Sequence, residues 1–165
     1  MRLSDARIIS VLVGLLALPA CRSTGPTELT DARRAAIADS VRRAFGDFTA
    51  ALGRGDVGHA IQFYSDDPGF RWVEDGTVRY TARADIADGL EQLRTYATLS
   101  FRFDEPSIDV VASNVAILTT ITETTLSDTS GKSLSFAAAL TVTMVRDSSG
   151  WRARSGHSST VRPPT

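Results

Sequence analysis

The sequence predicts an α+β domain, with three helices gathered ahead of a long antiparallel sheet. Three observations carry this. Apolar residues recur at three- and four-residue spacing between about Thr30 and Ala97. From Leu99 onward the period switches to two. The later alternating segments are joined by short turns with no helix between them, which excludes parallel βαβ units.

The first helix begins near Thr30, a residue suited to the N-cap, with Asp31 favourable in the first turn. Ile37, Val41, Ala44, Phe45, Phe48, Ala51 and Leu52 form its buried stripe, and Gly53 and Gly55 end it. Asp56 caps a second, shorter helix carrying Val57, Ala60, Ile61, Phe63 and Tyr64. Asp66-Asp67-Pro68-Gly69 is a turn by composition. Asp75-Gly76, between Phe70–Glu74 and Thr77–Tyr80, is a strong hairpin signal. A third helix runs from about Thr81 with Ile86, Leu90, Leu93 and Ala97 on one face.

Leu99, Phe101 and Phe103 then alternate with polar residues, and beyond Glu105-Pro106 the apolar set moves to Ile108 and Val110. That odd-to-even shift predicts a bulge or bend. Val115–Leu126 and Leu134–Val145 read as long strands joined at Ser130-Gly131, and Trp151 to about Val161 as the last strand. Phe136, Leu140, Val142 and Met144 share one face, bulky enough to pack under the helices. The opposite face, with Ala137, Ala139, Thr141, Thr143 and Val145, is expected to be joined by Thr120, Thr122 and Thr124. Such a small, Thr-rich face either meets solvent or lies against a second subunit.

Ahead of the domain, Arg2 and Arg7 precede an apolar stretch from Ile8 to Leu18, and Leu18-Pro19-Ala20 leads into Cys21, the only cysteine of the 165 residues. The stretch has the length of a signal-peptide core and is too short to span a bilayer, which takes roughly 20 apolar residues. Leu18 through Cys21 resembles the lipobox of bacterial lipoproteins, in which the signal is cut before a cysteine that is then acylated. Pro19 departs from the usual small residue, and an ordinary secretory signal is the alternative. The expected division is residues 1–20 as signal peptide, 21–29 as acylated Cys21 and tether, and 30–162 as the domain. The implied location is outside the cytoplasm, held to a bacterial membrane by lipid. With Cys21 acylated the domain has no thiol, hence no disulfide and no thiolate metal site. A net charge of −1 gives no global pull toward nucleic acid.

The domain resembles the nuclear transport factor 2-like superfamily, which includes ketosteroid isomerase and the SnoaL-like polyketide cyclases. The residues that carry the resemblance are Phe48-Thr-Ala-Ala-Leu52 with Gly55-Asp56-Val57, then Phe63-Tyr64-Ser65-Asp66-Asp67 and Val73-Glu74-Asp75-Gly76. Gly150-Trp151-Arg152 and His157-Ser158-Ser159 close it. The resemblance is strongest to a poorly characterised SnoaL-like branch. It implies a sheet wrapped against the helices as a cone, a pocket at the open end, and a dimer through the convex sheet face. The branch usually carries a second histidine two residues before the last, where this chain has Ser155.

Candidate site residues are Tyr64, Trp72, Tyr80 and His157. His157 shares an alternation face with Trp151, Ala153 and Ser155 if the strand has no bulge, which makes it the candidate hydrogen-bond donor or general base. Alternatively it bonds a neighbouring carbonyl and closes the strand. Tyr64, Trp72 and Tyr80 each offer an apolar body and a polar tip at the expected pocket rim. Core packing with a wet tip explains them equally. Glu74 alternates with Trp72, and a carboxylate beside an indole in a pocket has a raised pKa; before a turn it is merely solvated. Asp66 and Asp67 are either a proton-sharing pair or a turn before proline. His59 is expected on the surface, and Glu123 in solvent or an interface. Two histidines without a zinc or dinucleotide motif predict neither metal nor cofactor.

Two functions from different classes fit. One is a membrane-anchored, dimeric binding or accessory protein whose pocket takes a small, partly apolar molecule. The other is a SnoaL- or isomerase-like enzyme moving a proton next to a carbonyl. A filled cone serving only as a dimer module is a third. No residue pattern assigns a reaction.

Overall fold

The computed structural model describes residues 28–161, so Cys21, the apolar leader and the tether lie outside the described residues. Helix α1 spans Asp31–Gly53 and begins at Thr30, whose hydroxyl accepts from the N–H of Arg33. Its buried stripe is Ile37, Val41, Phe45, Phe48 and Ala51, each such side chain contributing roughly 1.5–3 kcal/mol when fully buried. Helix α2, Val57–Ala60, starts at Asp56, which accepts from the N–H of His59, and runs into a tighter turn at Ile61–Phe63. Helix α3 spans Arg83–Leu93. It stops short of Ala97, whose N–H instead bonds the carbonyl of Ser127 and opens the next strand.

Among the described residues there are seven strands: β1 Arg71–Glu74, β2 Thr77–Tyr80, β3 Thr98–Phe103, β4 Ser107–Ala112, β5 Val115–Ser127, β6 Ser133–Asp147 and β7 Gly150–Thr160. They form one sheet in the order β2-β1-β7-β6-β5-β3, with β4 also pairing with β5. The ladders are antiparallel except that β1 runs parallel to β7, so the sheet is mixed. Parallel neighbours need a long connection, and here α3 and the intervening strands supply it. Asp75 and Gly76 both have positive φ, as a tight two-residue hairpin requires.

β3 and β4 line up along β5 as two halves of one broken edge. Phe103 pairs with Thr122, whereas Ile108 pairs with Leu118. The register therefore slips by one across Asp104–Pro106, and that slip keeps Phe101, Phe103, Ile108 and Val110 on the same inner face. A second irregularity lies in β7. Thr143 pairs with Ser155 but Met144 pairs with Ala153, leaving Arg154 as the extra residue of a bulge. Bulges bend the strand that carries them, and these help to curl the sheet around the helices.

The core sits between α1 and the inner face of the sheet, where Val41, Phe70, Leu118, Val142 and Met144 are fully enclosed. The indole N–H of Trp151 on β7 donates to Ser40 Oγ on α1 at 2.8 Å, pinning helix to sheet. Arg34 at the start of α1 donates to the carbonyl of Val110 at 2.7 Å. Beyond Phe48 and Leu52 the helices and sheet diverge, and the space between them is not filled.

Candidate functional site

That open end of the cone holds a cavity of about 770 Å³. The last turns of α1 contribute Phe48 and Leu52, and the turn after α2 contributes Phe63 and Tyr64. The β1–β2 hairpin supplies Trp72, Glu74, Arg79 and Tyr80, and α3 closes one side with Ile86, Leu90 and Leu93. β3, β5 and β6 give Phe101, Phe103, Thr122, Thr124 and Phe136. Most of this surface is aromatic or aliphatic with a few polar groups, the composition expected of a small-molecule pocket.

The aromatics hold one another. Phe48 and Phe63 stack with centroids 4.4 Å apart, and Tyr64 meets Phe48 edge-on at 5.6 Å and Trp72 edge-on at 5.5 Å. Edge-to-face geometry suits the ring quadrupoles and fixes the Tyr64 ring on two sides. Its backbone is tied down as well: Tyr64 bridges to Ala153, and the N–H of Ser65 donates to the Ala153 carbonyl at 3.0 Å.

Tyr64 is 5% exposed. Burial, then the nearby Glu74 charge, then Tyr80, push its phenol well above the ordinary tyrosine range, so it stays protonated and can donate. Glu74 is half-buried, and burial raises its carboxyl pKa from 4.5. Arg79, whose Nε lies 4.0 Å away, and the indole of Trp72 pull it back down, while Asp75 adds to the rise. A phenol, a second phenol and a carboxyl group whose pKa burial raises thus face one apolar space. Such groups bind a hydroxyl or carbonyl, and a carboxylate so placed can also accept or return a proton.

Of the four candidate residues, the structure brings Tyr64, Trp72 and Tyr80 together on the cavity wall and leaves His157 out. The bulge at Arg154 is the cause. It reverses the alternation of β7, so that Trp151 and Ala153 face the core while Gly156, Ser158 and Thr160 take over the inner face. His157 is exposed on the convex side, within 3.1 Å of Ser159 Oγ. The guanidinium of the bulged Arg154 reaches the opposite loop, pairing with Asp67 at 2.9 Å beside Gly69.

The Thr-rich stripe is also corrected. β5 pairs residue for residue with β6, Thr120 with Leu140, Thr122 with Ala138 and Thr124 with Phe136. These threonines therefore share the inner face with the bulky set, and Thr122 and Thr124 line the cavity. Thr120 Oγ1 donates to the carbonyl of Asp104 at 2.8 Å, whereas Thr122 Oγ1 is buried with no partner among the described residues. The convex face instead presents Thr119, Ile121, Glu123, Ala139 and Thr141.

Asp66 and Asp67 turn to different partners: Asp66 pairs with Arg83 at 2.5 Å and Asp67 with Arg154. The turn reading holds for both. His59 is exposed, and Glu123 pairs with Arg102 on the outer face. Among the described residues no group of His, Cys, Asp and Glu could hold a metal, and no helix is long and apolar enough to cross a membrane. Glu74 lines the cavity with Trp72, as their alternation on one face of the strand allows. Phe101, Phe136 and the two cavity threonines were missed as site residues.

Helices closing the open side of a curved sheet over an apolar cavity define the class of the protein, an α+β cone. Its family follows from the sequence. A model of the SnoaL-like domain matches residues 41–163, and the chain belongs to that family. Among curated proteins nothing matches the sequence. Several solved structures share the fold. A protein from Novosphingobium aromaticivorans, provisionally assigned as a scytalone dehydratase, superposes with a TM-score of 0.72 at 13% identity, over 81% of this chain and 89% of that one. A nuclear transport factor 2-like superfamily protein from Salmonella enterica gives 0.68 at 14% identity, over 79% and 95%. A ketosteroid isomerase-like protein from Erwinia carotovora atroseptica gives 0.62 at 15% identity, over 76% and 97%.

Proposed function

We propose that this protein binds a small, largely apolar, ring-bearing molecule in the cone, holding one hydroxyl or carbonyl of it against Tyr64, Tyr80 and Glu74. The observation that carries this reading is the cavity itself. About 770 Å³ lies open between helices and sheet, its aromatics packed against one another rather than across the space. A cone used only for support would fill that volume with side chains, since interiors pack densely.

The site of action in this reading is outside the cytoplasm, with Cys21 acylated and the domain held near a bacterial membrane. Its support is the Leu18–Cys21 sequence. Mass spectrometry of the mature N-terminus checks it: an acylated Cys21 is expected, and an unmodified one ends the anchor. The protein acts as a homodimer through the convex sheet face, a reading supported by the small side chains at Thr119, Ala139 and Thr141 around Ile121.

Naphthol tests the central claim. Saturable quenching of tryptophan emission in the full-length chain, weakened when Tyr80 is replaced by Leu, is the expected result. No binding up to the solubility of the probe would sink it.

A second reading rests on Glu74. Fold neighbours carry the names of an isomerase-like protein and a provisional dehydratase. In an enzyme of that kind the ionised Glu74 would take a proton from carbon next to a carbonyl, the electron pair would move onto oxygen, and the Tyr64 hydroxyl would hydrogen-bond that oxygen. Glu74 would then return the proton. His157, on the far side of the sheet, has no part in either reading.

A further inference from the structure

One wall of the cavity is built from two cross-strand neighbours, Trp72 and Tyr80, which face each other in the β1–β2 ladder. Each rests on a glycine. Trp72 lies over Gly156, its partner in the β1–β7 ladder, and a Cβ placed on Gly156 would overlap Cζ3, Cε3 and Cη2 of the indole. Tyr80 points its hydroxyl at α3, where a Cβ on Gly89 would fall 2.7 Å from Oη and 3.2 Å from Cζ. Neither glycine is among those with positive φ, so an alanine could adopt either backbone conformation. The requirement at both positions is space alone. Glycine in a helix or strand interior weakens the element, so both sites give up local stability for room.

We propose that Gly156 and Gly89 determine the ligand specificity of the cavity, by seating Trp72 and Tyr80 back from its interior and so setting the widest ring system it admits. The proposal rests on the reading of the cavity as a ligand site. A methyl group on Gly156 must drive the indole away from β7. Tyr64 already packs against Trp72 edge-on at 5.5 Å, so the open direction is the cavity. A methyl group on Gly89 displaces the Tyr80 hydroxyl in the same way, out of its notch on α3. In both cases the cavity narrows without losing a lining residue, and wide ligands suffer first.

The test compares two phenols of different width, naphthol and hydroxypyrene, titrated against the full-length chain. Gly156→Ala is expected to weaken hydroxypyrene about tenfold while leaving naphthol within about twofold. Adding Trp72→Phe, which removes the overlapping edge of the indole, restores hydroxypyrene. Gly89→Ala acts likewise, weakening hydroxypyrene more than naphthol. Should an alanine variant not fold, Trp72→Phe alone carries the test by shifting the affinity ratio toward hydroxypyrene. Parallel loss of both phenols, or a ratio that no variant moves, overturns this proposal while leaving the cavity reading intact. A wild-type chain that binds neither phenol overturns the cavity reading and this proposal together.

Discussion

The carboxylate of Asp75, in the turn between β1 and β2, accepts from both the backbone N–H and the hydroxyl of Thr160, at 2.7 and 2.8 Å. The N–H of Asp75 donates in return to the carbonyl of Ser158 at 3.0 Å. The hairpin that carries Trp72, Glu74 and Tyr80 is thereby fastened to the last turns of β7, and the cavity wall gains its fixed position. Asp75 does this from a φ of 46°, a conformation that aspartate and asparagine tolerate better than most residues.

Replacing Asp75 by Ala removes two accepted hydrogen bonds and leaves a non-glycine residue in the left-handed region. A loss of about 1–2 kcal/mol in chemical denaturation is expected. Asp75→Gly relieves the backbone but not the bonds, and Asp75→Asn keeps an acceptor, so both should lose less. Equal stability of all three variants would show that the latch contributes nothing.

His157→Ala should leave naphthol affinity unchanged and shift the unfolding free energy by no more than about 0.5 kcal/mol, as for exposed residues away from special features. The side chain is exposed on the convex face, with Ser159 Oγ 3.1 Å from its Nε2. Calorimetric titration alongside a thermal melt decides this. A clear drop in affinity would return His157 to the site.

The contrast between His157 and Tyr64 shows what the sequence made legible. Helix caps at Thr30 and Asp56, the Asp75-Gly76 hairpin and the parity change across Glu105-Pro106 are local, and each was readable from a few residues. Tyr64, Trp72 and Tyr80 were readable as amphipathic aromatics flanking that hairpin. The inner or outer facing of His157 was not, because it depends on one extra residue in β7. That residue is Arg154, whose guanidinium pairs with Asp67, a partner far away in sequence. Thr120, Thr122 and Thr124 were placed by their composition, yet their parity with Ala116, Leu118 and Leu126 already pointed inward. The parallel pairing of β1 with β7 is likewise a long-range choice that no local pattern records.

Glu74 links stability to pH in a definite direction. Its folded pKa lies above the unfolded value of 4.5, chiefly through burial, so the folded state binds the proton more tightly than the unfolded chain does. The protonated form contributes stability that is fully present below 4.5 and is lost as pH rises through the folded pKa. Wild type should therefore lose stability relative to Glu74→Gln on going from about pH 4 to pH 7. Urea denaturation of both chains across that window measures it. A difference that is flat, or that grows in favour of wild type, contradicts the raised pKa.

Ile121, 36% exposed at the middle of β5, presents an apolar side chain on the convex face. Around it lie Thr119, Ala139 and Thr141, with the Arg102–Glu123 pair to one side. If the chain dimerises through this face, Ile121→Glu places two like charges near a two-fold axis, where such a contact is self-complementary. Sedimentation equilibrium should give a dimer for the wild type and a monomer for the variant. A monomeric wild type would reject the dimer outright.

Tetralone, a bicyclic ketone with exchangeable hydrogens beside its carbonyl, separates binding from catalysis at the same cavity. The binding reading expects it to quench tryptophan emission saturably, with Tyr64→Phe weakening it by about 2–10-fold through loss of one hydrogen bond. It also expects no exchange of those hydrogens with deuterated solvent beyond the buffer rate. The surroundings of Glu74 pull both ways: burial, the largest influence, favours the acid, while Arg79 at 4.0 Å and the Trp72 indole favour the carboxylate. A working base would have to ionise and then meet the carbon hydrogen within hydrogen-bond reach. Exchange that is accelerated by wild type, abolished by Glu74→Gln and sharply slowed by Tyr64→Phe would make the protein an enzyme. Exchange unaffected by either substitution would come from somewhere other than this site. Binding without exchange leaves Tyr64 and Glu74 as recognition groups, and the cavity as a receptor for a ring carrying one polar handle.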